Sequence, residues 1–168
     1  SVDLYDAMPS VGRKLLMAGK GGLNITHAEP VEDFRRRYGK RQTEISPLLD
    51  AFPPTALREW VHGLRVPTFV GSSGRVFPSD MKAAPLLRNW LQRLRTTGVR
   101  FHMRHRWSGW TRTGDDGCVQ LQFNTPQGEQ QRPVQAVVLA LGGGSWARLG
   151  SDGKWFALLD QAGIALAP

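Results

Sequence analysis

Alternating apolar and polar residues predict short strands in several parts of the chain. One strand is expected over Ser1–Asp6 and another over 99–105. A Gly-Ser-Ser-Gly loop between two apolar runs predicts a hairpin with strands Thr68–Val70 and Arg75–Pro78. Downstream, the pattern predicts a three-stranded β meander over 107–113, 118–124 and 134–141, with turns at 114–117 and 125–128.

The last strand of the predicted meander differs from the others because it is apolar throughout. Its sequence from Ala136 to Leu141 is AVVLAL. A strand that is apolar on both faces is typical of the inside of a layered α/β sheet. It leads into Gly142-Gly143-Gly144-Ser145, at the end where a parallel sheet forms its ligand crevice.

Apolar residues at helical spacing predict helices between the strands. The clearest helix runs from Lys82 to Thr97, with leucines on one face, arginines on the other and Gly98 as its stop. Acids followed by bases predict a helix over Glu29–Tyr38, which Gly39 would end. Shorter patterns predict further helices over 46–49, 54–60 and 152–163. Strands and helices in this order indicate an α/β fold.

Composition restricts the class of protein. The 168 residues suit one globular domain, and no apolar run is long enough to span a bilayer. The net charge of +8 allows a polyanion partner, with a basic cluster over Arg35–Arg41. Cys118 is the only cysteine, which excludes an intrachain disulfide or a cysteine metal cluster. His102 and His105 are expected on opposite faces of a strand, so we predict no metal site.

A first glycine-rich loop lies near the start of the chain. Gly19, Gly21 and Gly22 surround Lys20, and the polar residues Asn24 and Thr26 follow. Glycine lets a ligand approach the backbone closely, and the lysine adds positive charge. The loop therefore indicates a site for an anionic or electron-rich ligand, although an ordinary solvated turn has the same composition.

Asp6 ends the first predicted strand. In a dinucleotide-binding unit the second strand ends in an acid that accepts hydrogen bonds from a ribose. The G-x-G-x-x-G loop of such a unit lies about twenty residues earlier. We therefore expect this chain to be an internal fragment that is incomplete at its N-terminus.

These residues carry a resemblance to a known family. The stretch VGRKLLMAGKGGLNITH is similar to the signature G-R-K-L-L-x-S-G-G-G-R-C-N-x-T-N of bacterial FAD-containing flavoproteins, which are known as NAD(P)/FAD-dependent oxidoreductases and aminoacetone oxidase-like enzymes. Arg75–Pro78 followed by Met81-Lys82-Ala83 resembles the family's G-R-V-F-P segment, and 138–145 resembles its strand and G-G-x-S turn. The chain departs from the family at Lys20, at Gly22-Leu23 in place of Arg-Cys, and at Trp146-Ala147 in place of Tyr-Pro.

The resemblance implies an FAD/NAD(P)-binding Rossmann-like domain, partial over 1–168, with a β meander and an inserted helical segment. Its expected parts are the second strand and flavin-proximal loop (1–28), a helical segment (29–66), the hairpin and long helix (67–98), a strand and meander (99–141), and the second glycine loop with a helix (142–168).

The resemblance also implies the function. It implies a cytoplasmic FAD-dependent oxidoreductase that acts on a small substrate such as the amine aminoacetone, with NAD(P)H as a candidate electron donor. The residues expected to bind the cofactor are Asp6, Arg13, Lys14, Gly19, Lys20, Gly21, Gly22, Asn24, Thr26, Gly142, Gly143 and Ser145. Lys20 is expected to stabilise anionic reduced flavin. His27 is a candidate for proton transfer, and a plain loop residue is the simpler interpretation.

Two further expectations follow. Without an upstream phosphate loop, residues 1–168 alone are expected to bind FAD weakly and to be inactive. The alternative from another functional class is a basic module without catalysis, in which the cluster Arg35–Arg41 binds a polyanion such as nucleic acid. The flavoprotein interpretation predicts no nucleic-acid or membrane partner.

Overall fold

The computed structural model describes residues 1–113, 118–150 and 152–166, so the predicted turn at 114–117 lies outside the described residues. The chain divides into two compact units, unit 1 (residues 1–14 and 98–168) and unit 2 (residues 15–97). The strands are β1 (Asp3–Asp6), β2 (Thr26–His27), β3 (Thr68–Val70), β4 (Arg75–Pro78), β5 (Arg100–Met103), β6 (Arg106–Thr113), β7 (Cys118–Thr125) and β8 (Gly128–Val134). The helices are α1 (Arg13–Ala18), α2 (Val31–Arg36), α3 (Gln42–Ala51), α4 (Pro54–Gly63), α5 (Ala83–Thr96) and α6 (Trp155–Gln161).

Unit 1 combines a parallel strand pair with an antiparallel meander. β1 pairs in parallel with β5, and β6, β7 and β8 form the meander in that order. Leu121 and Phe123 of β7 are buried, and the Phe123 ring stacks on Tyr5 of β1 with 4.3 Å between centroids. The helices, together with parallel and antiparallel strands, confirm the predicted α/β class.

The prediction for the third strand of the meander is wrong. The strand is Gly128–Val134, and the apolar residues 136–141 lie in no strand. A tight turn pairs Thr125 with Gly128, so the polar residues after it continue the ladder along β7. The apolar segment is paired with none of the described strands, and Val138 is 90% exposed. Backbone pairing with a neighbour decided which segment became a strand, whereas hydrophobicity did not.

The prediction that His102 and His105 lie on opposite faces of one strand is also wrong. The rings of His102 and His105 lie 5.6 Å apart, and both contact the ring of Tyr5. The strand ends at Met103, and Arg104 has a φ of 59°, so the chain turns before it reaches His105. Strand alternation does not extend across that turn. Within the described part of the chain, no group of three or more His, Cys, Asp or Glu side chains suits a metal ion.

Unit 2 packs helices against a small antiparallel sheet in which β4 lies between β2 and β3. Its core holds Leu23, Val61, Leu64, Val66, Ala83 and Leu86. The hairpin prediction is confirmed with its bounds. The long helix is confirmed over Ala83–Thr96, and α2, α3, α4 and α6 are confirmed with shifted ends. No helix among the described residues has both the length and the hydropathy that a membrane span requires.

Candidate functional site

The first glycine loop is packed into unit 2. Residues Gly19–Gly21 form a 3-10 turn after α1, and Gly19 is buried. A Cβ atom at Gly19 would lie 2.5 Å from the Cβ of Ala83, the first residue of α5. This distance is shorter than real contacts allow, so Gly19 is required by the close approach of the helix α5.

Gly22 is required by its backbone conformation. Its φ is 119°, and a Cβ atom there would lie 2.7 Å from Cε of Met81. The next amides continue the attachment of the loop, because Leu23 donates to the Met81 carbonyl at 3.0 Å and Ile25 to the Val76 carbonyl at 2.8 Å. The loop is therefore fixed along β4 and the start of α5.

Gly21 is required neither by close packing nor by a positive φ. It is exposed, its φ is not positive, and nothing lies within 4 Å of the position that its Cβ would occupy. Lys20 beside it is also exposed. Packing and backbone conformation within the described residues thus explain two of the three glycines, and the third has open space at its Cβ position.

An open cleft of about 530 Å³ begins where the loop ends. Asn24 and Thr26, both predicted to bind the cofactor, line it together with aromatic side chains and with Arg37 and Arg75. Sequence reasoning missed this cleft because its lining comes from α2, α3, α4, β2 and β4, which no local pattern brings together.

His27 has both ring nitrogens engaged in local structure. Nε2 lies 2.9 Å from the Ser73 carbonyl, and the Glu29 amide donates to Nδ1 at 3.2 Å. A Cβ atom at Gly74 would lie 2.5 Å from the ring. This arrangement favours the interpretation of His27 as a loop residue that joins β2 to the hairpin.

An ion pair follows directly after β2. Arg37 donates from Nη2 to Oε2 of Glu29 at 2.8 Å, and its Nε lies 2.5 Å from Oε1. The hydrogen bond from Arg37 lowers the pKa of Glu29, against the effect of desolvation, and the same bond raises the pKa of Arg37. The charge of Arg37 is therefore largely compensated.

In unit 1, two predicted site segments meet. Nζ of Lys14, in the first turn of α1, donates to Oγ of Ser145 in the second glycine loop at 3.4 Å. Gly142 has a φ of 71°, whereas Gly143 is exposed and has no described atom within 4 Å of its Cβ position. Nε of Arg13 is buried and has no hydrogen-bond partner among the described residues.

Asp6 lies at the carboxyl end of β1, as predicted. Its Oδ1 accepts the Met8 amide at 2.8 Å, and its carbonyl accepts the His105 amide at 2.9 Å. One carboxylate oxygen of Asp6 therefore stabilises the turn after the strand.

A charged cluster that sequence reasoning missed lies at the opposite end of the same strand. Asp3 accepts hydrogen bonds from Nη2 of Arg100 at 2.6 Å and pairs with Nε2 of His102 at 2.7 Å. Arg100 first and His102 second lower the pKa of Asp3. Because these contacts depend on the pairing of β1 with β5, only a correct register could have revealed them.

The predicted cofactor residues thus fall into two groups. The structure places Asp6, Arg13, Lys14, Gly142, Gly143 and Ser145 in unit 1, and Gly19, Lys20, Gly21, Gly22, Asn24 and Thr26 in unit 2. Within unit 1 it joins Lys14 to Ser145. Within unit 2 the loop leads directly into the cleft. The binding roles of these residues stay predictions.

The basic cluster has compensated charges. Its arginines pair with carboxylates: Arg35 with Glu32 and Asp50, Arg36 with Asp33, Arg37 with Glu29, and Arg41 with Glu44. The nearby carboxylates reduce the net positive charge that the cluster presents to a polyanion, although exposed pairs such as Arg36 with Asp33 are weak and separate at little cost. The pairing therefore does not favour the polyanion-binding alternative.

Comparison with known proteins gives a match over the whole chain. Residues 1–168 match the family model described as HI0933-like protein Rossmann domain. No curated protein matches this chain.

Proposed function

The chain belongs to the HI0933-like Rossmann-domain family of FAD-binding flavoproteins, and we propose that it holds FAD and serves an oxidoreductase that acts on a small substrate. The observation that carries this proposal is the pair Gly21 and Gly143. Gly21 in unit 2 and Gly143 in unit 1 each lie in a predicted cofactor loop, and neither has a positive φ or a neighbour among the described residues within 4 Å of its Cβ position. A bound group that contacts the backbone would explain why each position is glycine, because a Cβ atom would hinder that contact.

The residues present fit FAD in chemical terms. The open Cβ positions of Gly21 and Gly143 let flavin or phosphate oxygens approach the backbone of each loop, and Lys20 adds positive charge to the first loop. Asp6 has a carboxylate oxygen to accept a ribose hydroxyl. The unpartnered Nε of Arg13 is a buried donor that an anionic oxygen would satisfy.

FAD, when bound, supplies the hydride or electron transfer, and the residues of this chain bind and orient it. Lys14 and Ser145 hold the first turn of α1 against the second glycine loop. The attachment of the first loop to Met81 and Val76 fixes the backbone beside Gly21. The first loop is therefore preorganised, which lowers the entropy cost of binding.

The finer parts of the proposal rest on the family resemblance. A small amine such as aminoacetone is one candidate substrate, NAD(P)H is a candidate electron donor, and the cytoplasm is the expected compartment. Anaerobic bleaching of the flavin by aminoacetone, or by NADH or NADPH, tests the first two directly.

The test of FAD binding uses the native full-length protein that contains this chain. A visible spectrum with the bands of oxidised flavin, near about 375 and 450 nm, is expected. Gly21→Ala and Gly143→Ala are expected to weaken FAD binding at least about tenfold, since one added methyl clashes with a bound group. Unfolding by urea should show no substantial loss of stability in either variant.

Gly63→Ala is the matched control. This helical glycine has an ordinary φ, and its Cβ position is only 3.9 Å from Nη1 of Arg93, so alanine fits. It lies outside both loops and should leave FAD affinity unchanged. A colourless protein that takes up no added FAD would overturn the proposed function.

A further inference from the structure

We propose that the open cleft beside Asn24 and Thr26 is the substrate pocket, and that it takes a carboxylate attached to an aromatic or apolar body. The inference rests on the proposed function, because it places the substrate next to the loop that we assign to FAD. The cleft volume of about 530 Å³ is in the range of small-molecule sites.

The apolar part of the cleft comes from three helices. Phe34 of α2, Phe52 directly after the last residue of α3, and Leu57 of α4 line it. Phe52 is 50% exposed and Tyr38, which also lines the cleft, is 40% exposed. Large rings left open to solvent gain free energy when a ligand covers them, and flat rings pair well with other aromatic groups.

The charged part of the cleft is cationic. Two arginines line it, Arg37 and Arg75, and the lining residues include no carboxylate among those that the structure describes. Arg37 is compensated by Glu29, which accepts its hydrogen bond at 2.8 Å. Arg75 is exposed at the start of β4, and no described carboxylate lies within ion-pair distance of it. Its guanidinium is therefore available to a ligand.

This charge distribution selects between substrate classes. A guanidinium binds a carboxylate through two parallel hydrogen bonds, and it repels a cationic amine. Asn24 and Thr26 add neutral polar groups at the end of the cleft that adjoins the glycine loop. An amphipathic acid matches all three parts of the lining, whereas a small cationic amine is attracted by the aromatic rings but repelled by the arginines.

The experiment measures binding of 3-phenylpropionate to the native full-length protein loaded with FAD, by calorimetry, with 3-phenylpropionamide as the uncharged counterpart. The carboxylate is expected to bind, and the amide to bind at least about tenfold more weakly. Arg75→Gln should weaken carboxylate binding by a similar factor and leave amide binding unchanged. Arg75→Lys should recover part of the loss, because lysine restores the positive charge but not the two parallel hydrogen-bond donors of the guanidinium.

Arg36→Gln is the matched control, since Arg36 is also an exposed arginine but is paired with Asp33 and lies outside the cleft lining. It should leave both affinities unchanged. Equal carboxylate binding by the wild type and Arg75→Gln would overturn the inference, as would equal binding of acid and amide. Failure to take up FAD would overturn the proposed function, whereas FAD uptake without carboxylate binding would overturn this inference alone.

Discussion

The two glycine-rich loops look alike in sequence but differ in what fixes their glycines. In the first loop, Gly19 gives room to Ala83 and Gly22 adopts a φ of 119°. In the second, Gly142 adopts a φ of 71°, and Gly143 lies exposed with open space at its Cβ position. The comparison shows that glycines in one motif can be required for different reasons. Only a glycine that neither its φ nor the packing of neighbouring residues requires indicates a bound ligand.

The largest effect on stability is expected from Gly19→Ala. Its Cβ would lie 2.5 Å from that of Ala83, so α5 must shift, at a cost of about 1–3 kcal/mol. Urea unfolding measures the change, and Gly21→Ala in the same loop should stay within about 0.5 kcal/mol of the wild type. Adding Ala83→Gly should restore part of the loss. Wild-type stability in Gly19→Ala would show that packing does not fix this glycine.

A smaller effect is expected from Gly142→Ala in the second loop. Alanine at a φ of 71° costs about 1–2 kcal/mol, because its Cβ crowds the following carbonyl. The neighbouring Gly143→Ala should be neutral, or stabilising by about 0.4–1 kcal/mol, since it restricts only the unfolded chain. Thermal and urea unfolding of the pair measure the difference. Equal losses in both variants would mean that the second loop is packed as the first one is.

The smallest effect on stability is expected from two ion pairs, Glu29 with Arg37 in unit 2 and Asp3 with Arg100 in unit 1. Arg37 lowers the pKa of Glu29 below its ordinary value of 4.5, so the pair stabilises the folded state above that pH. This contribution is lost as the pH falls through the pKa of the folded protein. Solvent screens the pair because the Arg37 side chain is 59% exposed.

Glu29→Gln tests this assignment. The variant should be less stable than the wild type at pH 7 and should lose less stability on acidification below pH 4.5. Amide hydrogen exchange in unit 2 at several pH values measures the change locally. Asp3→Asn is the counterpart in unit 1, where Arg100 and His102 lower the pKa of the carboxyl. A parallel pH profile in Glu29→Gln and the wild type would contradict the assignment.

Local patterns predicted those elements whose signals are local. The hairpin strands Thr68–Val70 and Arg75–Pro78 have their predicted bounds, because loop and strands lie together in sequence. The long helix Ala83–Thr96 was clear from its apolar face. The third meander strand was missed because its polar residues give no hydrophobic signal and are held by pairing with β7. The sequence of a single segment does not determine which other strand it pairs with.

The candidate site, too, was predicted only in its local features. The glycine loops stand out in the sequence, but the reason for each glycine depends on residues far along the chain, such as Ala83 beside Gly19. The pairing of Lys14 with Ser145 and the cluster around Asp3 also depend on the fold. Motifs therefore located the predicted site, and only three-dimensional contacts separated its structural glycines from those that point to a ligand.

The apolar segment 136–141 has a consequence for handling the protein. It joins six uncharged residues without proline, three of them Val or Leu in a row, and Val138 is 90% exposed. Such a stretch has the composition of a steric zipper, and its unpaired backbone can add to the same segment of another molecule. In concentrated solution, molecules are thus expected to associate first through this segment, while the core of each unit is still folded. A charged residue in place of Val138 would act as a gatekeeper against that association.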